Sequence, residues 1–222
     1  MINPLHHEIL QLIKQNSGSP TQHTFLNSYL GNDHPRYPIN APALRKIAKD
    51  WMRTHRDLAA KKFADMLTSL IQGVSSTEKV MAGILMDNAT AEQRNFDPEI
   101  FDRWLDHLKG WAEVDAVCTG EYMVREIPVN WKKWSPMLTK FSKDKNINKR
   151  RASLVLFTST VRYTDDEIVG KTALKNVDRL KSEKEVMITK AISWVLRSMV
   201  KNYKPMVVAY LKTNEDTLPR IA

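Results

Sequence analysis

Apolar residues recur at helical spacing along almost the whole chain, and this pattern constrains the fold more than any other feature. In the segment 41–56, Leu44, Ile47, Ala48 and Trp51 fall on one face of a helix. No segment shows sustained alternation at the two-residue period of strands, and only seven glycines occur among 222 residues. The sequence therefore predicts an all-α protein. The predicted helices cover 4–15, 21–30, 41–56, 58–71, 76–88, 98–108, 112–126, 131–142, 147–160, 165–177, 184–203 and 205–213.

A weak repeat organises these predicted helices. Trp111, Arg151 and Trp194 begin or lie within three of them, at intervals of 40 and 43 residues. Two or three helices in a period of about 40–47 residues are typical of HEAT and armadillo repeats. We therefore expect an α-α superhelix of HEAT-like repeats, a curved solenoid with a concave basic surface. The loops 31–40 and 143–147 are too short to separate domains, so residues 1–222 are expected to form a single domain.

The positive charge is concentrated in the second half of the chain. Residues 1–130 contain 14 Lys or Arg and 16 Asp or Glu, a net charge of −2. Residues 131–212 contain 19 Lys or Arg and seven Asp or Glu, a net charge of +12. Basic residues can simply aid solubility, but so one-sided an excess attracts a polyanion to one face. The sequence therefore favours nucleic acid as the partner.

Several functional classes are excluded or disfavoured. The chain contains no apolar run of about 18 residues, as a membrane-spanning helix requires, and its first residues lack a signal-peptide pattern. Cys118 is the only cysteine, so no disulfide forms within the chain. The histidines show no metal-ligand spacing. We expect a cytoplasmic protein of the bacterial type, without a metal ion or cofactor and without a membrane partner. The histidines are His6, His7, His23, His34, His55 and His107.

Three predicted helices carry residues suited to one chemical site. Trp111 and Asp115 are four residues apart, so they share a helix face with an offset of about 40°. If the three helices line one concavity, two indoles, a carboxylate and a guanidinium converge there. The candidates from the two later helices are Lys149, Arg150, Arg151, Trp194 and Arg197.

Four motifs in these segments resemble one known family. WAEVD is similar to its W-x-x-x-D element, RRASLVLF to its R-A-x-x-x-x-F element, and KAISWVLR to its K-A-I-x-W-x-L-R element. INAPALRKIAKDW resembles its P-x-x-R-x-x-x-K segment. The family is the AlkD-like family of DNA alkylation repair glycosylases, built from HEAT-like repeats. The resemblance covers about residues 26–214, with the motifs in the family's order and spacing.

The resemblance implies removal of cationic N3- and N7-alkylated purines, such as 3-methyladenine and 7-methylguanine, from double-stranded DNA by a monomer. It assigns Trp111, Asp115 and Trp194 to the catalytic cleft and Arg151 to the DNA backbone. Tyr29 matches loosely an aromatic residue along the DNA path. The chain departs from the family at Val186 and Met187, where the family has an aromatic pair. It also ends at LPRIA, where the family continues into a further helix.

The proposed chemistry suits these residue types. A cationic alkylated purine leaves its sugar as a neutral base, so the reaction needs no general acid. A carboxylate such as Asp115 stabilises the developing sugar cation and orients or deprotonates the attacking water. The indoles of Trp111 and Trp194 attract a cation with roughly 0.5–2 kcal/mol per face. Arg151 can bind a phosphate and thereby fix the position of the protein along the DNA. Neutral lesions such as uracil and hypoxanthine are then expected to be poor substrates.

Each candidate also has a purely structural interpretation. Trp111 and Trp194 can be core residues, and Asp115 can cap a helix. Arg151 can pair with an acid such as Asp115, and Arg197 is expected to be structural or to face a phosphate. Two rival classes remain, a non-catalytic HEAT-like protein that binds DNA shape and a protein-binding helical repeat. The remaining tryptophans are interpreted as packing or rim residues, namely Trp51, Trp104, Trp131 and Trp134.

Overall fold

The computed structural model describes residues 2–22 and 24–221 as helices joined by turns and loops. His23, one of the six histidines considered above and part of the predicted helix 21–30, lies outside the described residues. Within those residues the β-type pairing is one isolated bridge between Thr21 and Arg36. The prediction of an all-α protein is therefore confirmed. The chain divides into two compact units, Met1–Val117 and Cys118–Ala222. The single domain 1–222 and the curved solenoid stay predictions.

Helix α5 is the central helix of the first unit. It packs against α3 and α4, and α1 packs against the same two helices. Its first turn is fixed by a capping box, in which Ser75 and Glu78 satisfy each other's backbone N–H groups. The helices of this unit are α1 (Pro4–Gln15), α2 (Thr24–Leu30), α3 (Ala41–Thr54), α4 (Ala60–Ile71), α5 (Ser76–Asp87), α6 (Ala91–Arg94), α7 (Ile100–Trp104) and α8 (Gly110–Cys118, whose last residue begins the second unit).

A buried acid links the N-terminal helix to α5. The Oε1 atom of Glu78 lies 2.9 Å from Nε2 of His6, and both side chains are 2% exposed. Oε2 accepts from the Ser75 N–H at 2.8 Å. Burial acts to raise the pKa of the Glu78 carboxyl, but the hydrogen bonds from His6 and Ser75 outweigh it and leave the pKa below its usual value. The carboxylate therefore stays ionised inside the unit and anchors α1.

The second unit is built around helix α11. This helix packs against α9, α10, α12 and α13, and most of its side chains are buried on every face. A helix surrounded in this way has no face exposed to solvent, and the run of apolar residues from Leu154 to Phe157 reflects its central position. The helices of this unit are α9 (Glu121–Val129), α10 (Trp131–Phe141), α11 (Ile147–Thr160), α12 (Glu167–Leu180) and α13 (Val186–Asn214).

One predicted helix is wrong and one predicted break between helices is confirmed, each for a local reason. The predicted helix 112–126 is interrupted before α9, because Gly120 adopts a φ of 103°, a conformation that a helix does not contain. The break predicted between helices 184–203 and 205–213 is confirmed, because α13 consists of two helices that meet at a kink, where Tyr203 has the non-helical angles φ −123° and ψ 26°. Pro205 lies two residues further on and cannot donate a helical hydrogen bond. The four-residue helix α6 has no counterpart among the predictions.

Gly83 in the middle of α5 provides a test of the packing that supports α8. A Cβ atom at Gly83 would lie 1.9 Å from the carbonyl oxygen of Ala116, so the two helices touch through their backbones. Alanine normally stabilises a helix interior relative to glycine. We expect Gly83→Ala to reverse that sign and to lower the free energy of unfolding by about 2 kcal/mol or more, measured by urea denaturation. An increase in that free energy would contradict the packing described here.

Candidate active site and nucleic-acid interface

Helix α8 carries the predicted Trp–Asp pair on its more exposed side. Val114 and Val117 are fully buried and fix the helix against the first unit. Trp111 and Asp115 are only partly buried. The helix therefore offers one indole and one carboxylate, a single helical turn apart, at the surface of the unit.

The structure removes two of the structural interpretations. Trp111 and Trp194 are partly exposed, whereas Trp104 and Trp134 are completely or almost completely buried in the core. Asp115 is the sixth residue of α8, beyond the first turn, so it does not cap the helix. Neither tryptophan of the candidate site is a core residue, and the position of Asp115 is not that of an N-cap of α8.

Tyr29, at the end of α2, contacts Trp111 directly. The indole Nε1–H of Trp111 donates to the Tyr29 carbonyl oxygen at 2.7 Å. The two rings meet edge to face, with centroids 5.4 Å apart and planes at 84°. The side chain of Tyr29 is 62% exposed. The structure thus brings together Tyr29 and Trp111, which the sequence could associate only loosely.

The backbone of residues 29–34, here called the Tyr29 segment, lies directly on the start of α8. Gly110 has a φ of 69°, and a Cβ atom there would lie 2.0 Å from the carbonyl oxygen of Leu30. Only glycine combines this conformation with so close an approach. The glycine before Trp111 is therefore required by the contact that orients the indole.

Glu113 is a functional candidate that the sequence analysis missed. Its side chain is fully buried, and Oε1 lies 2.8 Å from Nδ1 of His34. Oε2 accepts from the backbone N–H of Lys109 at 2.8 Å, at the start of α8. The available signal was an acid in the first turn of a helix that begins with glycine. It was overlooked because Glu113 occupies a variable position inside the W-x-x-x-D pattern.

A buried lysine accompanies this acid. The Lys79 side chain donates to the carbonyl oxygen of Gly73 and is 2% exposed. Burial lowers the pKa of the Lys79 ammonium, while the charges of Glu113 and Glu78 act in the opposite direction. The buried carboxylates of Glu78 and Glu113 therefore favour the charged form of Lys79 inside the first unit.

In the second unit, the three basic residues of α11 occupy different environments. Arg150 forms a two-pronged ion pair with Glu183, with Nε–Oε1 at 2.7 Å and Nη2–Oε2 at 3.2 Å. Its Nη1 also donates to the carbonyl oxygens of Asp144 and Lys145. Arg150 thus joins the α10–α11 loop to the α12–α13 loop.

Arg151 and Lys149 are both largely buried, with exposed fractions of 4% and 7%. Arg151 donates from Nη1 to the carbonyl oxygen of Met187 in the first turn of α13. This contact places Arg151 beside the start of the helix that carries Trp194. Met187 takes part in this contact through its backbone carbonyl oxygen.

Trp194 and Arg197, both on helix α13, differ in the exposure of their side chains. Trp194 is partly exposed and Arg197 is exposed. The Nε–H of Arg197 donates to the Ser193 carbonyl oxygen at 3.2 Å, which directs the rest of its guanidinium away from the helix backbone. This geometry is consistent with the expectation that Arg197 is structural or faces a phosphate.

The predicted residues therefore form two groups, one in each unit. Tyr29, Trp111 and Asp115 belong to the first, and the second joins α11 to α13. That both groups serve one reaction stays a prediction. The second group consists of Lys149, Arg150, Arg151, Trp194 and Arg197.

Other kinds of site find no support in the part of the chain that the structure describes. Among those residues, no three His, Cys, Asp or Glu side chains are grouped so that they could hold a metal ion. No helix among them combines the length and apolar character needed to cross a membrane.

The all-helical fold and the excess of basic residues in the second unit suit a protein that binds a polyanion such as nucleic acid. The family model described as DNA alkylation repair enzyme matches residues 11–222. The chain therefore belongs to the DNA alkylation repair enzyme family, which indicates a role in alkylation repair with DNA as its partner.

A solved structure supports the fold. It is described as a predicted DNA alkylation repair enzyme from Enterococcus faecalis, with a TM-score of 0.69, 18% sequence identity and 89% of each chain covered. At this identity the similarity concerns the fold alone. A search of the curated proteins finds no significant match.

Proposed function

We propose that this protein is a monofunctional DNA glycosylase that hydrolyses the N-glycosidic bond of cationic N3- and N7-alkylated purines in double-stranded DNA. It would act as a monomer, without a cofactor, and begin base excision repair. The observation that carries the proposal is the partly exposed Asp115 carboxylate one turn from the indole of Trp111 on α8. The proposal treats residues 1–222 as one functional domain, since the family model extends over both units.

The reaction requires little acid catalysis. As the bond between the sugar carbon and the purine nitrogen breaks, its electron pair neutralises the cationic base. The sugar acquires positive charge, and a water oxygen then forms the new bond to that carbon. The Asp115 carboxylate stabilises this charge and can accept the proton that the water loses. One carboxylate is sufficient for both tasks.

The aromatic residues bind the cationic nucleotide. An indole face attracts a positive charge and covers the apolar face of a sugar. Trp111 and Trp194 are partly exposed, as this role requires, and the exposed Tyr29 ring extends the aromatic surface beside Trp111. A core tryptophan such as Trp104 could not perform this function.

The second unit supplies a basic edge for the DNA backbone. Arg150 joins two neighbouring loops, and these loops carry the exposed lysines Lys143, Lys145 and Lys184. Helices α11 and α13 both begin at this edge, and their N-terminal N–H groups favour an anion. We propose that the edge binds phosphates through these exposed lysines. Arg150 acts as its brace, and the largely buried Arg151 holds the start of α13.

Salt dependence tests the basic edge. We expect duplex affinity to fall linearly on a log–log plot against salt concentration, because each phosphate contact releases counterions. Substituting glutamine for Lys143, Lys145 and Lys184 together should weaken binding and reduce the steepness of that slope by about 2–3. Fluorescence anisotropy with a labelled duplex measures both quantities.

The matched control carries the same three substitutions in the first unit, at Lys14, Lys61 and Lys62, which are also exposed. It loses the same total charge but should leave the slope within the error of the measurement. Equal slopes for the wild type and the Lys143, Lys145 and Lys184 variant would exclude this edge as a DNA contact.

The function itself is tested by incubating the protein with duplex DNA that contains 7-methylguanine and measuring the free base released. We expect release that increases with protein concentration and stops after the lesion is consumed. If the protein bound the duplex and released no base, the non-catalytic DNA-binding alternative would replace this proposal.

A further inference from the structure

We propose that Glu113 and His34 are positioning residues that hold the Tyr29 segment on α8 and thereby fix the indole of Trp111 for the alkylated nucleotide. The expected effect of these residues on the rate of base release rests on the proposed function. Neither residue belongs to the motif positions that carry the family resemblance. Both act through Trp111 and do not contact the substrate.

The orientation of Trp111 depends on a backbone atom outside its own helix. A tryptophan side chain can rotate about two bonds, but here the Nε1–H is bound to the Tyr29 carbonyl oxygen at 2.7 Å. The edge-to-face contact with the Tyr29 ring restrains the tilt of the indole. The exposed indole face therefore points in a constant direction only while residue 29 stays in place.

Two side-chain contacts hold the Tyr29 segment on α8, and they differ in strength. The ion pair between Lys109 Nζ and Asp33, at 3.0 Å, has side chains that are 55% and 72% exposed. An ion pair this exposed contributes little. The contact between His34 and Glu113, at 2.8 Å, has a histidine that is 19% exposed and a fully buried carboxylate. A buried hydrogen bond to a charged acceptor is among the stronger kinds.

Glu113 uses its two oxygen atoms for two different tasks. One oxygen accepts from the backbone N–H of Lys109 and completes the start of α8, while the other holds His34. The same carboxylate therefore couples the beginning of the helix to the Tyr29 segment. Glu113 is two residues from Trp111 and two from Asp115, and it faces inward while they lie at the surface. Helix α8 thus has an anchoring side and a functional side.

The decisive variant is His34→Ala. It removes the contact to the Tyr29 segment but leaves the Glu113 bond to Lys109 and the buried charge beside Lys79 intact. We expect single-turnover release of 7-methylguanine to fall about tenfold, because a displaced indole no longer contacts the nucleotide correctly. Duplex affinity should stay within about twofold, since most of it comes from phosphate contacts.

His34→Asn provides the conservative variant. The amide nitrogen of asparagine occupies nearly the same position as histidine Nδ1, so it can donate to Glu113. We expect it to restore most of the activity that alanine removes. The control His7→Ala changes an exposed histidine of the same unit and should leave the rate unaltered.

A spectroscopic measurement distinguishes positioning from a loss of stability. In a proton–nitrogen NMR spectrum, the indole signal of Trp111 is identified by its disappearance in Trp111→Phe. His34→Ala should shift or broaden this signal, because the hydrogen bond to Tyr29 is weakened. His34→Asn should return it towards its wild-type position, and His7→Ala should not move it.

An unaltered Trp111 signal in His34→Ala, or a wild-type rate in the same variant, would overturn the inference. If the wild-type protein releases no base, the proposed function fails, but the Trp111 signal still decides whether His34 and Glu113 position the indole. The two failures are therefore distinguishable.

Discussion

Asp115→Asn is expected to lower single-turnover release of 7-methylguanine about tenfold or more, while duplex affinity stays within about twofold. Asparagine keeps the size of the side chain but removes the negative charge that, in the proposed mechanism, stabilises the developing sugar cation. Asp115 is partly buried on α8 and lies beyond its first turn, so its carboxylate is not part of the start of this helix. The substitution should therefore lower the rate of the chemical step.

The measurement is rapid mixing of excess protein with a duplex that carries one labelled lesion, alongside a binding titration. Asp57→Asn makes the same chemical change at an exposed position between α3 and α4 and should retain the full rate. A variant at position 115 as fast as the wild type would remove the carboxylate from the mechanism.

Neutral lesions are expected to be released at least about 100-fold more slowly than 7-methylguanine. Uracil and hypoxanthine leave as anions unless an acid protonates them, and the proposed site supplies a carboxylate that opposes such an anion. The rate difference follows from the charge of the leaving group and does not require a shaped pocket.

Duplexes identical except for the lesion allow a direct comparison of 7-methylguanine, hypoxanthine and uracil under single-turnover conditions. Similar binding of all three duplexes with very different release rates would locate the selectivity in the chemical step. Comparable release of a neutral base would show that the site contains an acid catalyst, contrary to the mechanism proposed here.

The helices could be predicted from the sequence where a helix has one apolar stripe or is uniformly buried. Helix α11 begins and ends at the predicted residues, 147 and 160, because a polar N-cap precedes a long apolar run. The prediction was wrong near Gly120, since the pattern of apolar residues continues across a residue whose conformation interrupts the helix. Tertiary packing, which determines where a helix bends, leaves little trace in periodicity.

The candidate site was predictable only in part. The spacing of Trp111 and Asp115 indicated a shared helix face, and the structure leaves both partly exposed. The roles of Glu113 and His34 could not be predicted, because their contact spans 79 residues of sequence. The bond from Arg150 to Glu183 spans 33 residues and was missed for the same reason. Sequence spacing reveals neighbours within a helix, whereas these contacts join separate segments.

Binding of a transition-state mimic tests the central claim most directly. Duplexes that contain either a cationic pyrrolidine or a neutral tetrahydrofuran in place of the lesion nucleotide differ mainly in the charge of the sugar. We predict that the wild-type protein binds the cationic duplex about tenfold more tightly than the neutral one and that Asp115→Asn abolishes this preference. Equal affinity of the wild-type protein for both duplexes, or an undiminished preference in Asp115→Asn, would contradict the account.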